Sequence, residues 1–93
     1  MLKKMPLHCP SCRCHLEVKT LQCPECETTV NGRFPLPLLA SLDSEDQEFV
    51  VAFVKSSGSL KEMAKHLGLS YPSVRNRLDE TISKIKNLEN QPL

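Results

Sequence analysis

Two pairs of cysteines near the start of the chain are the residues whose type and spacing best suit binding chemistry. Cys9-Pro-Ser-Cys12 and Cys23-Pro-Glu-Cys26 are C-x-x-C sequences, and ten residues separate them. Each such sequence can form a tight knuckle that presents two thiolates to a tetrahedral ion, and two knuckles complete its four ligands. The sequence therefore predicts one zinc ion bound by Cys9, Cys12, Cys23 and Cys26, with iron as a minor alternative.

The predicted metal ion has a structural role, because four cysteine ligands leave no coordination position open for substrate or water. Disulfides fit the pattern less well. The chain has an odd number of cysteines, five, and closely spaced cysteines in a reducing compartment more often bind metal. A thioredoxin-like redox pair would need strands and helices that residues 9–34 do not predict. The metal interpretation is therefore preferred over both alternatives.

Three further side chains near the cysteine pairs could join the site. Cys14 could act as a redox sensor or as an alternative ligand in place of Cys12. We favour an unligated thiol, because pairing Cys9 with Cys14 would break the knuckle spacing. His8 and His15 are interpreted as surface residues.

Short antiparallel strands should support the two knuckles. The predicted strands are residues 15–18, 20–22, 28–30 and 33–34. The Asn31-Gly32 dipeptide suits a tight turn between the last two. Arg13 and Glu27 stand close to where knuckles usually carry glycine, so left-handed backbone is expected at both.

A leucine- and proline-rich stretch, residues 35–43, separates the cysteine-bearing segment from the rest. Pro35 and Pro37 remove backbone donors and disfavour both helix and central strand, so this stretch is the predicted linker. Its leucines are too apolar for a solvated tether, and we expect them to pack on the following helices. They are Leu36, Leu38, Leu39 and Leu42.

A first helix is predicted to start at Ser44, because Ser44 and Gln47 have the spacing of a capping box. Apolar residues then recur at intervals of three and four, which predicts one buried stripe, and Gly58 is the expected left-handed end. The stripe consists of Phe49, Val50, Phe53 and Val54.

Two further helices are predicted after a tight turn. Ser59 and Glu62 form a second capping box, and Gly68 should end a short second helix. Ser70 can cap a third helix that carries Pro72 in its first turn. The inner residues are Leu60, Met63, Ala64 and Leu67 in the second helix, and Val74, Leu78, Ile82, Ile85 and Leu88 in the long third helix.

Residues 60–78 have the pattern of a helix-turn-helix motif. Ala64 is small where two helices would cross, Gly68 lies in the turn, and Val74 points into the core. Residues 43–88 resemble the tetrahelical helix-turn-helix of region 4 of bacterial sigma factors and of LuxR-type regulators. The resemblance implies that the third helix recognises DNA.

The outer side of this motif supplies the candidate DNA contacts. Arginine can bind guanine edges or phosphates and asparagine can bind adenine, while hydroxyls at a helix N-terminus and nearby lysines suit phosphates. Between residues 55 and 88, seven basic and three acidic residues give a net charge of +4. The candidate DNA-binding residues are Ser70, Tyr71, Ser73, Arg75, Asn76, Arg77, Lys61 and Lys65.

Protein docking is the alternative role for the same helices. Asp79 and Glu80 follow the recognition segment and would face phosphates, which weakens the case for DNA. The helices would then form a trihelical core that contacts another protein. Ile82, Ile85 and Leu88 could form a homodimer seam or could cover the first helix, and both interpretations stay open.

Nearly the whole chain resembles a small bacterial family catalogued as a domain of unknown function. The resemblance rests on the CPxC...CPxC ribbon, NGRF, the leucine-proline stretch and SYPSVRNRLDE. It implies a zinc ribbon joined to a sigma-region-4-like helix-turn-helix and a regulatory role, although the usual knuckle glycines are missing here. The predicted fold is small α+β, with a zinc ribbon of short antiparallel strands in residues 1–34, the linker in 35–43, and an all-α helix-turn-helix domain with a long third helix in 44–93.

Two functional hypotheses follow. The first is a cytoplasmic transcriptional regulator whose helices bind DNA and whose ribbon mediates dimerisation or protein docking. The second is an adaptor that binds RNA polymerase or another regulator without reading DNA. We expect no enzyme and no small-molecule substrate, because no residue set provides a nucleophile with its base, a phosphate loop or an open metal site. No apolar run suits a signal sequence or a transmembrane helix, so no membrane partner is expected.

Overall fold

Two folding units divide the chain between Pro37 and Leu38. The computed structural model describes residues 4–90. The outer ends of the two predicted domains, residues 1–3 and 91–93, lie outside the described residues. The first unit contains a two-stranded sheet and the second contains three helices, which confirms the small α+β architecture. Within residues 4–90, no helix is both long and apolar enough to cross a membrane.

Antiparallel pairing of β1 (Val18–Gln22) with β2 (Thr29–Phe34) organises the first unit. Leu21 pairs with Val30 and Thr20 with Asn31. The Thr20 hydroxyl also donates to Oδ1 of Asn31 at 2.6 Å. The second cysteine knuckle reverses the chain between the two strands. As a result, apolar residues of β1 lie opposite apolar residues of β2, and polar residues lie opposite polar residues.

The prediction of a turn at Asn31-Gly32 is wrong, because both residues lie inside β2. Between the pairs Val18–Phe34 and Thr20–Asn31, β1 contributes one residue and β2 contributes two. The two β2 residues, Gly32 and Arg33, therefore form a β-bulge and not a turn. A Cβ at Gly32 would lie 2.7 Å from Cζ of Phe34. Glycine therefore leaves room there for the Phe34 ring.

The first helix, α1, spans Ser44–Lys55 and is capped by Asp43, one residue before the predicted cap. Oδ1 of Asp43 accepts a hydrogen bond from the amide of Asp46 at 2.9 Å. A carboxylate is well suited to this position because the exposed amides of a helix N-terminus favour negative charge. The Gln47 side chain, predicted to close a capping box, instead donates to the carbonyl of Leu42 at 2.7 Å.

The predicted linker contains a short 3-10 turn, Leu39–Ser41, directly before α1. Of the linker leucines in the second unit, Leu42 is buried, as expected, whereas Leu38 and Leu39 are exposed. Burial of Leu42 directly before Asp43 holds the cap of α1 against the domain.

The next two helices confirm the predicted boundaries. Helix α2 spans Leu60–Leu67, and its cap Ser59 accepts from the amide of Glu62 at 3.2 Å. Gly68 ends α2 in the left-handed region at φ +68°. Helix α3 spans Tyr71–Glu89, and its cap Ser70 accepts from the amide of Ser73 at 3.3 Å. The turn of the helix-turn-helix is therefore only three residues long, from Gly68 to Ser70.

Four buried side chains, one or two from each helix, form the core of the second unit. They are Phe49, Leu60, Met63 and Val74, with Ala52, Phe53, Ala64 and Leu78 packed against them. The prediction that Val54 lies in the core is wrong, since Val54 is 69% exposed. It follows Phe53 by 100° around α1, which turns its side chain away from the buried side of the helix. Leu67 and Ile82 are also exposed, whereas Asp46 and Thr81 are buried.

Candidate functional site

The first cysteine knuckle is closed by hydrogen bonds within its own backbone. The amide of Arg13 donates to the carbonyl of Cys9, and the amide of Cys9 donates to the carbonyl of Cys14, both at 2.8 Å. The amides of Ser11 and Cys12 approach Sγ of Cys9 at 3.3 and 3.5 Å. Amides directed at a sulfur stabilise its thiolate form.

The second knuckle repeats this pattern. The amide of Glu27 donates to the carbonyl of Cys23 at 2.9 Å, and the amide of Cys23 donates to the carbonyl of Thr28 at 2.8 Å. The residue after each pair adopts the left-handed region, at φ +67° for Arg13 and +64° for Glu27, which confirms the expected backbone. Two segments of different sequence thus share the conformation that holds a C-x-x-C pair around one ion.

The surroundings of two sulfurs favour the thiolate, the form that binds metal. The amides of Cys12 and Ser11 lower the pKa of Cys9. The hydroxyl and then the amide of Thr28 lower the pKa of Cys26 to about 7. Sγ of Cys26 lies 3.1 Å from Oγ1 of Thr28.

Cys14 has the opposite environment. A hydrogen bond with the side chain of Cys12, together with the charge of Cys12, raises the pKa of Cys14. A raised pKa keeps the thiol protonated, whereas metal binding requires the thiolate. That Cys14 is unligated stays a prediction. His8 and His15 face each other across an isolated antiparallel bridge, with ring centroids 4.6 Å apart, and both are exposed as expected.

The two knuckles fit zinc in donor type, in backbone conformation and in the lowered pKa of Cys9 and Cys26, but they are built separately. Among residues 4–90, no three or more histidine, cysteine, aspartate or glutamate side chains come together in an arrangement that could hold a metal ion. The structure thus brings each C-x-x-C pair together without joining the two pairs. Four thiolates suit Zn²⁺, and an ion would connect Cys9, Cys12, Cys23 and Cys26.

The helix-turn-helix exposes several of the predicted DNA-binding residues. Tyr71 is exposed at the start of α3, and the hydroxyls of Ser70 and Ser73 share a hydrogen bond of 2.8 Å. Nη2 of Arg75 lies 3.5 Å from Oδ1 of Asp79, and each of the two side chains is 55% exposed. An exposed pair of this kind is weak enough for Arg75 to exchange Asp79 for another partner.

The two lysines of α2 are also available for binding. Lys61 and Lys65 are one helical turn apart and exposed. Neither side chain forms a salt bridge with a carboxylate in the described part of the chain. Their charges are therefore uncompensated on one side of α2.

Arg77, a predicted DNA contact, is instead paired with a carboxylate of the protein itself. Its Nη2 lies 3.1 Å from Oδ1 of the buried Asp46, and its guanidinium lies 5.6 Å from the centroid of the Phe49 ring. Lys84, which the sequence analysis did not select, binds the other oxygen of Asp46. Asp46 precedes Phe49 by three residues and Phe53 by seven, so the helical spacing of the apolar residues could have placed its carboxylate on the buried side of α1.

The other two predicted contacts on α3, Ser73 and Asn76, line a cleft between α3, α1 and the end of α2. Arg75 does not line this cleft. Successive residues of a helix are 100° apart, so Arg75 and Asn76 point in clearly different directions. The predicted recognition residues are therefore divided between two surfaces.

Comparison with protein families identifies both parts of the chain. Residues 9–40 match the model described as "DUF2089 zinc ribbon", and residues 42–88 match "Domain of unknown function (DUF2089)-HTH". The two matches follow each other in the predicted order. They confirm the predicted family, in which a zinc ribbon is joined to a helix-turn-helix. Neither the comparison with curated proteins nor that with solved structures returned a match.

Proposed function

Since the chain belongs to the DUF2089 family, with a zinc ribbon followed by a helix-turn-helix domain, we propose that it is a transcriptional regulator that binds duplex DNA through α3. The observation that supports the proposal is the exposure of Arg75 next to the buried Val74. Val74 anchors the first turns of α3 in the core, so Arg75 projects from a rigid element. A rigidly held arginine suits guanine, whose major-groove edge accepts two hydrogen bonds.

The proposed DNA surface combines a base contact with phosphate contacts. Arg75 releases Asp79 and binds a base or a phosphate. Lys61 and Lys65 bind the sugar-phosphate backbone from α2, and Ser70 and Tyr71 lie at the N-terminus of α3, where phosphate oxygens are favoured. Arg77 has no part in this surface because its charge is already paired with Asp46.

The ribbon has a structural and protein-binding role in this proposal. One zinc ion held by Cys9, Cys12, Cys23 and Cys26 would supply folding energy to the first unit and no catalytic step. The ribbon then serves as the dimerisation or protein-interaction module of the regulator. No enzymatic activity is part of the proposal.

Fluorescence anisotropy with a pool of random duplexes, measured at several salt concentrations, tests DNA binding directly. Affinity should fall as salt rises, because binding releases counterions from phosphates. Arg75→Ala should weaken binding by about 1–3 kcal/mol, whereas Lys61→Ala and Lys65→Ala should each reduce the salt slope by about 1. Lys55→Ala, which removes an exposed charge at the end of α1, is the matched control and should change little. Failure of the wild type to bind any duplex in a salt-dependent way would contradict the proposal.

An adaptor that binds RNA polymerase or another regulator without reading DNA is the second candidate. The pairing of Arg75 with Asp79 favours it, because a carboxylate on the recognition segment opposes the approach of phosphates. The adaptor predicts that Asp79→Asn does not create or strengthen DNA binding. The regulator predicts stronger binding by this variant, since both the competing partner of Arg75 and a negative charge are removed.

A further inference from the structure

A cleft of the helical domain lies between the start of α1, the end of α2 and the first half of α3. Its apolar lining consists of Phe49, Leu67 and Leu69. Leu67, at the end of α2, and Leu69, in the following turn, are 40% and 49% exposed, whereas Leu60 and Met63 of α2 are buried. These leucines can bury further surface only by contact with another molecule, and such burial favours association because it removes apolar surface from water.

Carboxylates surround this apolar lining. Glu45 and Glu48 project from α1 and Glu80 projects from α3. None of the three forms a salt bridge within residues 4–90. Arg77 also lines the cleft, but its charge is paired with the buried Asp46 at 3.1 Å. The cleft therefore carries three carboxylates that have no ion-pair partner among the described residues.

We propose that this cleft binds a protein segment in which an apolar side chain is flanked by lysine or arginine. The apolar side chain would contact Leu67 and Leu69, and the basic side chains would meet Glu45, Glu48 and Glu80. Complementary charge of this kind sets the specificity and the association rate of an interface. DNA is disfavoured here because its phosphates would approach three carboxylates.

The proposal gives Ser73 and Asn76 a new role. Both line the cleft, so their hydroxyl and amide groups hydrogen-bond the backbone of the bound segment instead of base edges. Arg75 lies outside the cleft, which leaves it available to DNA while the cleft is occupied. The cleft is a different surface from the proposed DNA site, so binding of a protein segment there does not depend on DNA binding.

A designed amphipathic helical peptide, with leucines along one side and lysines along both margins, is the probe. Its fluorescein-labelled form is titrated with the zinc-loaded chain of 93 residues, and the same peptide with glutamate in place of lysine is the peptide control. We expect the lysine peptide to bind and the glutamate peptide to bind at least tenfold more weakly. Three exposed ion pairs of ordinary strength together change affinity by about tenfold.

Two sets of variants test the location of the peptide. The triple variant Glu45→Gln, Glu48→Gln, Glu80→Gln should weaken binding of the lysine peptide about tenfold. The control triple variant Glu25→Gln, Glu62→Gln, Glu89→Gln removes the same charge elsewhere and should change affinity less than twofold. Leu69→Ala leaves the charge unchanged and should also weaken binding, while far-UV circular dichroism checks that its helices are intact.

Several results would overturn the proposal. They are failure of the lysine peptide to bind, equal binding of both peptides, or equal effects of the two triple variants. A larger gain in DNA affinity from the cleft variant than from the control variant would assign the cleft to the DNA surface instead. Arg75→Ala should leave peptide binding unchanged, so failure of the DNA proposal and failure of this one are distinguishable.

Discussion

Nζ of Lys84 lies 2.7 Å from Oδ2 of Asp46, and this salt bridge joins residues 38 positions apart in the chain. Arg77, two turns earlier on α3, binds the other oxygen of the same carboxylate at 3.1 Å. Between them, the hydroxyl of Thr81 donates to the carbonyl of Arg77 at 2.9 Å. Only 1% of Asp46 is exposed, so a single buried carboxylate fixes α3 against the first turn of α1.

Replacement of Asp46 should destabilise the helical domain. Asp46→Asn leaves Arg77 without its charged partner and leaves Lys84 only Asp43, at 4.0 Å, but the Arg77 and Lys84 side chains are 35% and 51% exposed and can be rehydrated. We therefore expect a loss of about 2 kcal/mol in the free energy of unfolding, below the ~3–5 kcal/mol of a fully buried pair. Urea denaturation followed at 222 nm measures it. Glu48→Gln, an exposed change on the same helix, should stay within about 0.5 kcal/mol, and an equal effect of both would contradict this account.

The cap of α1 should contribute to stability in a pH-dependent way. The amide of Asp46, and more weakly the charge of Lys84, lower the pKa of Asp43 below its ordinary value. A lowered folded-state pKa means that this contribution is complete above the unfolded pKa of about 3.9 and is lost as pH falls through the folded value. Asp43→Asn should therefore lose less helical stability than the wild type below about pH 4. If wild type and Asp43→Asn lost the same stability as pH falls, Asp43 would not be responsible for the pH dependence.

Thr28 should control the pH at which the ribbon releases zinc. Thr28→Val removes the hydroxyl that contributes most to lowering the pKa of Cys26 to about 7. Metal binding requires the thiolate, so loss of this contact should move zinc release on acidification to higher pH. A colorimetric zinc indicator, read across pH on the zinc-loaded protein, measures the release. Thr29→Val is the neighbouring control, and an unchanged release profile in Thr28→Val would exclude the hydroxyl as the cause.

Removal of metal should unfold one unit and spare the other. Binding energy at a four-cysteine site is folding energy, and the cysteines all lie in the first unit. A strong zinc chelator should remove amide-exchange protection from residues 8–34 while α1, α2 and α3 stay protected. Simultaneous loss of protection in both regions would show that the units do not fold independently.

Features set by local sequence could be predicted, whereas features set by distant contacts could not. Ser59 and Ser70 cap their helices as expected, because the partner of each cap is an amide three residues away. The left-handed backbone at Arg13 also followed from the knuckle pattern. Asn31 has the local signal of a turn, but pairing with Thr20 keeps it in a strand.

The same distinction explains the outcome at the candidate site. The C-x-x-C pairs could be identified because their spacing is itself the structural requirement. The role of Arg77 could not, since it depends on the carboxylate of Asp46 31 positions away in the chain. Likewise, the assignment of Asn76 to a cleft depends on how α1 and the end of α2 lie beside α3.

The left-handed backbone at Arg13 and Glu27 has a consequence for the tolerance of the ribbon to mutation. A side chain in that conformation costs about 1–2 kcal/mol, and glycine avoids the cost. In a saturation-mutagenesis screen, these should be positions where glycine outperforms the native residue and valine or isoleucine performs worst. Such a profile, recurring at a spacing of fourteen positions, would locate both knuckles from the mutational data without reference to any cysteine.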